Sequence, residues 1–218
     1  MLQFLDLVCE GVVVKELINL AEKKGVILRG HFVLSSGKHS GTYVQKDLLS
    51  CDVISILRIF VSEVLWIHHE NNENEPKEQK IDTVVSVDGA RSFGLLVAQK
   101  LGVDFIYGEK IPGSKEFAFR PHFLPFLKDK TILIAEDVLT TGGSLKRLIN
   151  ACKIARVFLI DSIFLMWNTD PDFSYFRDPL SHSTKIPIYS AVTKSYSKYK
   201  EEDCPMCKER IPITRLKI

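Results

Sequence analysis

The stretch that decides the fold is ILIAEDVLTTGGS, which runs from Ile132 to Ser144. Its first four residues are apolar and predict a buried strand that delivers two adjacent acids, Glu136 and Asp137, to the edge of a sheet. Small residues follow, and they predict a turn that opens a helix. The order of strand, turn and helix start is typical of the units from which α/β sheets are built.

The residue types in this stretch suit a sugar phosphate. Two adjacent carboxylates at a strand end are costly unless they meet a metal ion, hydroxyl groups or cations. The N–H groups and the dipole of a helix N-terminus attract a phosphate, and glycines let the backbone approach it closely. We therefore predict that the acids hold the hydroxyls of a ribose 5-phosphate and that the turn holds its phosphate. The turn residues are Thr140, Thr141, Gly142, Gly143 and Ser144.

Other phosphate-binding patterns fit less well. A Walker-type loop needs a lysine before its serine or threonine, and here Ser144 follows two glycines. The dinucleotide fingerprint G-x-G-x-x-G is absent after the strand. A simpler alternative stays open, in which a buried strand with a polar end is followed by a glycine turn without chemical function.

Apolar strands alternate with helical patterns on both sides of this stretch. Strands are predicted over 81–87, 103–108, 130–137 and 155–167, and helices over 91–102 and 142–153. Continuously apolar strands that alternate with helices indicate a parallel sheet covered on both faces. Ligands bind beyond the carboxyl ends of such strands, so the residues after Val87, Gly108 and Glu136 should converge on one crevice.

The N-terminal part of the chain has a different pattern. A helix is predicted over 12–24, and two short strands over 30–36 and 41–46 form a hairpin or lid. A second helix is predicted from Asp52 to about His68, followed by a polar surface loop over 68–80.

Bulk composition excludes several classes of protein. The net charge is +2, with 29 basic and 27 acidic side chains, so no field demands nucleic acid or an anionic membrane as partner. No stretch has the length of a membrane span, and the N-terminus does not read as a signal peptide. Five cysteines without a disulfide framework favour a reducing compartment, and we expect a cytoplasmic protein.

The signature resembles the phosphoribosyl pyrophosphate (PRPP) motif of the type I phosphoribosyltransferases, in which four apolar residues, two acids and an apolar pair precede T-T-G-G-S. Within that group the chain is most similar to the orotate phosphoribosyltransferase family. Residues 30–47, GHFVLSSGKHSGTYVQKD, resemble the hood that closes over the base. Residues 103–110, VDFIYGEK, resemble the strand that leads into the mobile catalytic loop, and residues 201–213, EEDCPMCKERIPI, resemble a C-P-x-C ending.

This resemblance implies an α/β type I phosphoribosyltransferase fold, with a five-stranded parallel sheet flanked by helices and a small N-terminal hood. It implies one domain over 1–218, with a catalytic core of about 51–185, a hood of about 26–50 and a C-terminal tail of about 186–218. The implied reaction, a step of pyrimidine nucleotide synthesis, transfers ribose 5-phosphate from PRPP to orotate with Mg²⁺ and releases pyrophosphate. The implied partners are these small molecules and a second copy of the chain, without nucleic acid or membrane.

The resemblance also assigns roles to residues. Lys110, Glu136 and Asp137 are the expected catalytic residues, and Asp88, Glu136 and Asp137 the expected magnesium ligands, largely through PRPP. A long loop is predicted over 111–130, and the segment GEKIPGSKEFAFRPHF, residues 108–123, has the length, glycines and charges of a closing lid. A solvated hairpin is the alternative. Besides the signature acids and turn, the expected PRPP-binding residues are Asp88, Gly89, Ala90, Arg91, Lys110, Lys115 and Arg120. The expected base-binding residues are Phe32, Ser35, Ser36, Gly37, Lys38 and Trp167.

Three positions depart from the family pattern. The pyrophosphate loop reads S-V-D-G-A-R over 86–91 instead of G-P-A-x-x-G, and Ser35 stands where many members have lysine. The strand end at Trp167 lacks the arginine that pairs with the carboxylate of orotate. Either Lys38 or Arg177 takes that role, or the acceptor is another base; a non-catalytic PRPP or nucleotide sensor is a further alternative.

The C-x-x-C pair of Cys204 and Cys207 has several interpretations. It can be half of a tetrahedral zinc site, a redox pair or an inert tail. The sequence has no second C-x-x-C and no H-x-x-x-H. Two copies of the chain would together supply four thiolates, so a zinc-bridged dimer is one hypothesis.

Overall fold

The computed structural model of the chain describes residues 10–34, 36–45, 48, 58–71, 80–177 and 185–215. The helices and strands are, in chain order, α1 (Glu10–Lys23), β1 (Ile27–Val33), β2 (His39–Val44), α2 (Arg58–Asn71), β3 (Thr83–Val87), α3 (Arg91–Leu101), β4 (Asp104–Lys110), β5 (Phe117–Ala118), β6 (Thr131–Leu139), α4 (Gly143–Ile154), β7 (Leu159–Asn168), β8 (Tyr175–Arg177), β9 (Lys185–Thr193), β10 (Lys198–Tyr199) and α5 (Pro205–Lys208).

The central sheet has the strand order β5-β4-β3-β6-β7-β9-β8. Its inner strands, from β4 to β9, are all parallel, and the short strands β5 and β8 add to the two edges in antiparallel orientation. The predicted parallel sheet is confirmed. Burial explains the apolar sequence of its inner strands, because every residue of β3 and all but one residue of β6 are buried.

Alternate residues of β6 build two separate apolar cores, one on each face of the sheet. Leu133 and Ala135 face the core that includes Leu17, Phe60 and Phe93 from α1, α2 and α3. On the other face of the sheet, the second core joins residues of β6 to residues of α4. Because successive side chains of a strand point to opposite faces, one strand can anchor both layers. The residues of β6 in this second core include Ile132 and Ile134, and those of α4 include Leu145, Leu148 and Ile149.

The hood is a small antiparallel sheet of order β1-β2-β10. Its third strand comes from the C-terminal tail, where Lys198 pairs with Ser40 and Tyr199 with His39. The tail therefore completes the hood, an association that local sequence pattern does not predict.

Several predicted boundaries move by a few residues. The two hood strands begin and end two to three residues earlier than predicted, because the turn between them is tight: Leu34 and Lys38 share a backbone hydrogen bond of 2.8 Å, and Gly37 has a φ of 80°. The second helix continues to Asn71, past the predicted end at His68. Asp52, its predicted first residue, lies outside the described residues.

Two strands of the central sheet differ from the sequence pattern. Strand β6 continues two residues beyond its predicted end, because Val138 and Leu139 still pair with β7. Strand β9 was not predicted, although it pairs in parallel with β7. Among the described residues, no helix combines the length and apolar character required to cross a membrane.

Candidate active site

The two signature acids lie within β6, close to its carboxyl end. Glu136 is 5% exposed and Asp137 is 3% exposed, so both carboxyl groups are held in a largely dry environment. The backbone N–H of Val138 donates to Oδ1 of Asp137 at 2.6 Å. Two adjacent buried acids at the end of a strand are unusual in an apolar core and are typical of a binding site.

The glycine turn follows directly and starts α4. Gly142 has a left-handed φ of 69° and precedes the first residue of the helix, Gly143. A Cβ atom at Gly142 would meet the ring of Phe173 at 3.0 Å, so both the backbone conformation and the available space favour glycine. No side chain of the described residues caps this helix N-terminus, which leaves its first N–H groups available to a ligand.

The turn and Glu136 open on one cavity of about 350 Å³, whereas Asp137 is not among its lining residues. The wall is formed by the signature, by the hood and by the end of β4 with the turn that follows it, so the segments after Gly108 and Glu136 meet as predicted, but the residues after Val87 do not line the cavity. The lining residues are Ser36, Lys110, Lys115, Glu136, Val138, Leu139, Thr140, Thr141, Gly142, Gly143, Ser144, Leu145 and Arg147.

Three cationic side chains line this cavity, and sequence reasoning missed one of them. Lys110 ends β4 and Lys115 follows it in the next turn, as expected. Arg147 lies one turn into α4, and a Cβ atom at Gly143 would be 3.4 Å from its Nη1 atom. Its Nε atom is buried and has no hydrogen-bond partner within the described part of the chain. The spacing of four residues from Gly143 is the signal that would have placed Arg147 on the face of the turn.

The predicted lid begins as a β hairpin. β4 and β5 pair through Glu109 with Ala118 and through Lys110 with Phe117. The backbone N–H of Ile111 donates to the carbonyl of Glu116 at 2.9 Å, and this bond closes the turn that carries Lys115. The alternative of a hairpin is therefore confirmed as a local structure, and it places a lysine at the cavity.

A chain of ion pairs connects the ends of β3 and β4. Arg91 pairs with Asp88, lies 3.9 Å from Glu109 and stacks 3.7 Å from the centre of the Tyr107 ring. Arg120 contacts the same Glu109 through Nε at 2.9 Å and Nη2 at 2.6 Å. Asp88, Arg91 and Arg120 are therefore engaged in ion pairs outside the cavity, and none of the three lines its wall. Gly89 and Ala90 form the short turn between Asp88 and Arg91.

The Arg120 guanidinium affects the acidity of its partner. Its hydrogen bond to the Glu109 carboxylate lowers the pKa of Glu109 below the usual value, and the charges of Arg120 and Arg91 act in the same direction. The same pairing raises the pKa of Arg120. Both side chains are exposed, so salt screens this interaction.

The hood contributes Ser36 to the cavity, with Gly37 and Lys38 exposed beside it. Phe32 is instead 2% exposed and packs against Tyr43, with 5.6 Å between ring centres, so it supports the hood rather than the cavity wall. Ser35 lies outside the described residues.

Lys198 of the tail strand β10 is a second residue that sequence reasoning missed. Its Nζ donates to the carbonyl of Thr140 at 2.7 Å and to that of Thr169 at 3.3 Å. Burial lowers its pKa, Asp170 acts against this shift, and Lys38 adds to it. Lys198 thus connects the tail with the glycine turn and with the segment that follows β7. No local motif marks it, because all its contacts are distant in sequence.

The end of β7 differs from the expectation for a base-binding wall. Trp167 is fully buried and packs against Phe60, so the structure places it in the core, not at the cavity. The reason is its register, since it pairs with Val138 on β6 and Val192 on β9 inside the sheet. Asn168 is also engaged, because its Nδ2 donates to the carbonyl of Phe173 at 3.1 Å.

The two remaining candidates lie away from the cavity wall. Arg177 is exposed on the edge strand β8, 5.6 Å from the ring of Tyr175. Cys204 and Cys207 lie against the hood, next to His31 and His39.

The chain is similar in sequence to known proteins over nearly its whole length. The chain is 31% identical over 207 residues to the orotate phosphoribosyltransferase of Thermotoga maritima, covering 93% of this chain and 96% of that protein. It is 29% identical over 206 residues to the orotate phosphoribosyltransferase of Thermoanaerobacter sp., covering 92% and 95%. No protein-family model matches the chain.

Solved structures support the fold. The crystal structure of orotate phosphoribosyltransferase from Aeropyrum pernix superposes with a TM-score of 0.61 at 18% identity, over 81% of this chain and 93% of that one. A crystal structure of an adenine phosphoribosyltransferase superposes with a TM-score of 0.55 at 16% identity, over 82% and 99%. The predicted type I phosphoribosyltransferase fold is confirmed, and it is shared by proteins named for different bases.

Proposed function

Since the chain belongs to the orotate phosphoribosyltransferase family, we propose that it transfers ribose 5-phosphate from PRPP to orotate, the pentosyl transfer of pyrimidine nucleotide synthesis. In this reaction a ring nitrogen loses its proton and bonds to C1 of the ribose, while the bond from C1 to the pyrophosphate oxygen breaks. Pyrophosphate leaves with that electron pair. The single observation that carries the proposal is the cavity in which Glu136, the glycine turn and three cations meet.

The turn from Thr140 to Ser144 binds the 5-phosphate. The start of α4 supplies N–H groups and the positive end of its dipole, and the hydroxyls of the turn add donors. Arg147 lies beside Gly143 and supplies a full positive charge. A guanidinium can donate two hydrogen bonds to one phosphate, which makes it a stronger partner than a single backbone N–H.

Glu136 and Asp137 accept hydrogen bonds from the ribose hydroxyls. Their carboxylate oxygens are also the hard donors that Mg²⁺ prefers, so the signature acids fit magnesium bound largely through PRPP, whereas Asp88 pairs with Arg91 and does not line the cavity. When bound, Mg²⁺ offsets negative charge that develops on the leaving pyrophosphate. The two signature acids hold the sugar in the orientation in which C1 faces the base.

Lys110 and Lys115 stabilise the leaving group from the hairpin side. Both ammonium groups line the cavity, where charge on pyrophosphate increases during bond cleavage. Arg91 and Arg120 are two further cations near the end of β4. A bound diphosphate competes with the carboxylates of Asp88 and Glu109 for their guanidinium groups. Closure of the hairpin excludes water from the sugar carbon while it is electron-deficient.

The hood supplies the base site through Ser36, Gly37 and Lys38. Lys38 is the cation that we assign to the carboxylate of orotate, because Trp167 is in the core and Arg177 lies on the edge strand. Lys38 is exposed beside Ser36, which lines the cavity, so its ammonium group can reach a carboxylate on the base.

The assembly and location follow from the same family. We expect a homodimer in the cytoplasm that acts on small molecules, with neither nucleic acid nor membrane as partner. Size-exclusion chromatography with light scattering measures the assembly.

The central experiment mixes the purified protein with orotate, PRPP and Mg²⁺ and follows orotidine 5-phosphate by chromatography. The Glu136→Ala/Asp137→Ala variant should lose at least roughly 100-fold in kcat/KM, because it removes groups that hold the reacting sugar. The Asp172→Ala variant changes an exposed acid away from the cavity and should retain activity. Circular dichroism shows whether the double variant is folded. Full activity of a folded double variant would overturn the site.

A second function is favoured by one observation. The end of β7 lacks the arginine expected for orotate, since Trp167 is buried and Asn168 is bonded to Phe173. A transferase for another pyrimidine or purine base would have no need of it. Turnover of such a base in place of orotate, under the same conditions, would select this alternative. Binding of PRPP without turnover of any base would instead indicate a regulator.

A further inference from the structure

Two hood histidines meet the two tail cysteines in one cluster. The Nε2 atom of His31 lies 2.8 Å from Nδ1 of His39 and 3.6 Å from each of the sulfur atoms of Cys204 and Cys207. The Cys207 sulfur is 3.3 Å from Nδ1 of His39. All four atoms lie within 4.8 Å of one another.

These separations fit a tetrahedral ion. With zinc bonds of about 2.0–2.1 Å to nitrogen and about 2.3 Å to sulfur, the ligand atoms of a tetrahedron are roughly 3.3–3.8 Å apart. The three nitrogen–sulfur distances given above fall in this range, and the nitrogen–nitrogen distance is shorter by about half an ångström. A small rotation of either ring would be enough to admit the ion.

The second nitrogen of His31 is positioned as in metal-binding histidines. Its Nδ1 atom lies 2.7 Å from the carbonyl oxygen of Ile211, so an N–H at this position donates to that oxygen. The Nε2 atom then carries a lone pair directed at the cluster. A hydrogen bond to a backbone carbonyl commonly fixes the tautomer and orientation of a metal-bound imidazole.

The donors and their burial indicate which metal is bound and why. Thiolate and imidazole ligands select zinc over magnesium or calcium, which require oxygen donors. His31, His39 and Cys204 are at most 4% exposed, and the protein fills all four positions. A closed site of this kind is structural, since catalysis requires an open position. A cysteine redox pair would not require two imidazoles within bonding distance.

We propose that His31, His39, Cys204 and Cys207 bind one zinc ion in a closed structural site that fixes the C-terminal tail to the hood. All four ligands come from one chain, so a second copy is not needed to complete the site. This replaces the hypothesis of a zinc-bridged dimer with four thiolates.

The fold explains why ligands with no recognisable spacing meet. In the β1–β2 hairpin, Phe32 pairs with Ser40 and Val33 with His39, so His31 and His39 are diagonal neighbours on one face. The tail strand pairs Tyr199 with His39, and the following turn brings Cys204 to the start of α5. Cys204 and Cys207 then occupy the first turn of that short helix.

The rest of the tail is bound to the same strand. The backbone N–H of His31 donates to Oγ1 of Thr214 at 3.1 Å, and the Thr214 N–H donates to the carbonyl of His31 at 2.7 Å. A Cβ atom at Gly30 would lie 2.5 Å from that Oγ1, so only glycine permits the approach. Zinc would therefore hold a segment that is already in register with the hood.

Metal analysis of the purified full chain tests the proposal. The protein is expressed without a polyhistidine tag in medium containing zinc, and the metal is measured by plasma mass spectrometry. We expect about one zinc per chain in the wild type, and a loss of about 90% or more in Cys207→Ser and His39→Gln. Cys152→Ala removes a buried thiol from the opposite core and should retain the metal. Zinc-free wild type, or equal zinc in all variants, would overturn the site.

Cobalt substitution provides a measurement on the wild type that does not depend on folded variants. Apoprotein prepared with a chelator and titrated with Co²⁺ should show the visible absorption of tetrahedral cobalt and thiolate charge-transfer bands, and Zn²⁺ should remove both. An octahedral cobalt spectrum would show that these residues do not form the closed site.

Discussion

Arg147 adds a charge to the phosphate site that we propose at the signature turn. The turn from Thr140 to Ser144 offers dipoles and hydroxyls, while Arg147 adds a full charge whose Nε atom is already buried. A donor that is buried before the ligand arrives gains more from an anion than a solvated donor does. Part of the affinity for PRPP should therefore depend on this residue rather than on the signature.

Replacement of Arg147 by methionine tests that dependence. Loss of a charge-assisted hydrogen bond costs about 1.5–3 kcal/mol, so KM for PRPP should rise roughly 10–100-fold. Lys146→Met removes a neighbouring exposed charge of the same helix that does not line the cavity, and it should change KM little. Steady-state kinetics with orotate saturating measures both. Equal effects in the two variants would mean that only general charge matters.

At the scale of elements, the hairpin of β4 and β5 depends on an ion pair beyond its strands. Glu109 on β4 is held by Arg120, which follows β5, so the pair closes the loop over the strand. Glu109 has a lowered pKa in the folded protein. Its contribution to stability is therefore present above the usual pKa of a glutamate and is lost as the pH falls through the depressed folded value.

A titration of Glu109 measures this contribution directly. Carbon NMR of the side-chain carboxyl should give a pKa below the usual value in the wild type and a higher pKa in Arg120→Gln, since the hydrogen bond is its largest cause. Glu116→Gln, which changes an exposed acid in the same hairpin, should leave the Glu109 pKa low. A Glu109 pKa unchanged by Arg120→Gln would contradict the pairing in solution.

Elements were predictable where burial and local pattern agree. Strands β3, β6 and β7 are apolar on both faces, so the sequence alone predicts these strands. The glycine turn is the sequence feature that predicts the proposed phosphate site. Strand β9 is half-exposed over Pro187–Ser190, and a proline within a run argues against an inner strand. Here Pro187 pairs with Tyr175 of the edge strand, and the parallel pairing with β7 begins at Ile188.

Contacts between distant segments were not predictable from one sequence. Lys198 and the hood histidines owe their positions to a returning tail and a hairpin register that no short motif encodes, whereas the helical spacing from Gly143 could have placed Arg147. The hood register also contains an irregularity between Arg29 and Phe32, which is invisible in the alternation of residues. The base specificity was likewise not predictable, because the pairing of β7 with β6 and β9 places the Trp167 side chain in the core.

Considered as a whole, the molecule connects the parts that line its cavity through a residue behind the wall. The sheet supplies Glu136 and the hood supplies Ser36 to the cavity. Lys198 of the tail does not line it, but donates to carbonyls of Thr140 in the glycine turn and of Thr169 after β7. A ligand in the cavity therefore contacts a turn that is bonded to the tail. Its binding should stabilise the entire fold rather than one loop.

Thermal unfolding with PRPP and Mg²⁺ tests this coupling. At a ligand concentration of about 100 Kd the stabilisation is about 2.7 kcal/mol, which for a chain of this size corresponds to a rise in Tm of roughly 5–10 °C. Glu136→Ala/Asp137→Ala should show little of this rise at the same ligand concentration. Inorganic phosphate at that concentration serves as the control for nonspecific anion effects, and a similar rise with phosphate would contradict specific binding.

The union of hood and tail has a consequence for the order in which the protein is made. His31 and Cys204 are 173 positions apart. At about 5–20 residues per second, roughly 10–30 s of translation separate them on the ribosome. During that interval the nascent hood lacks its third strand and two of the four zinc ligands that we propose. The hood is therefore the last part of the nascent chain to be completed. A chain truncated before Lys198 would form the central sheet but would have a hood without its third strand.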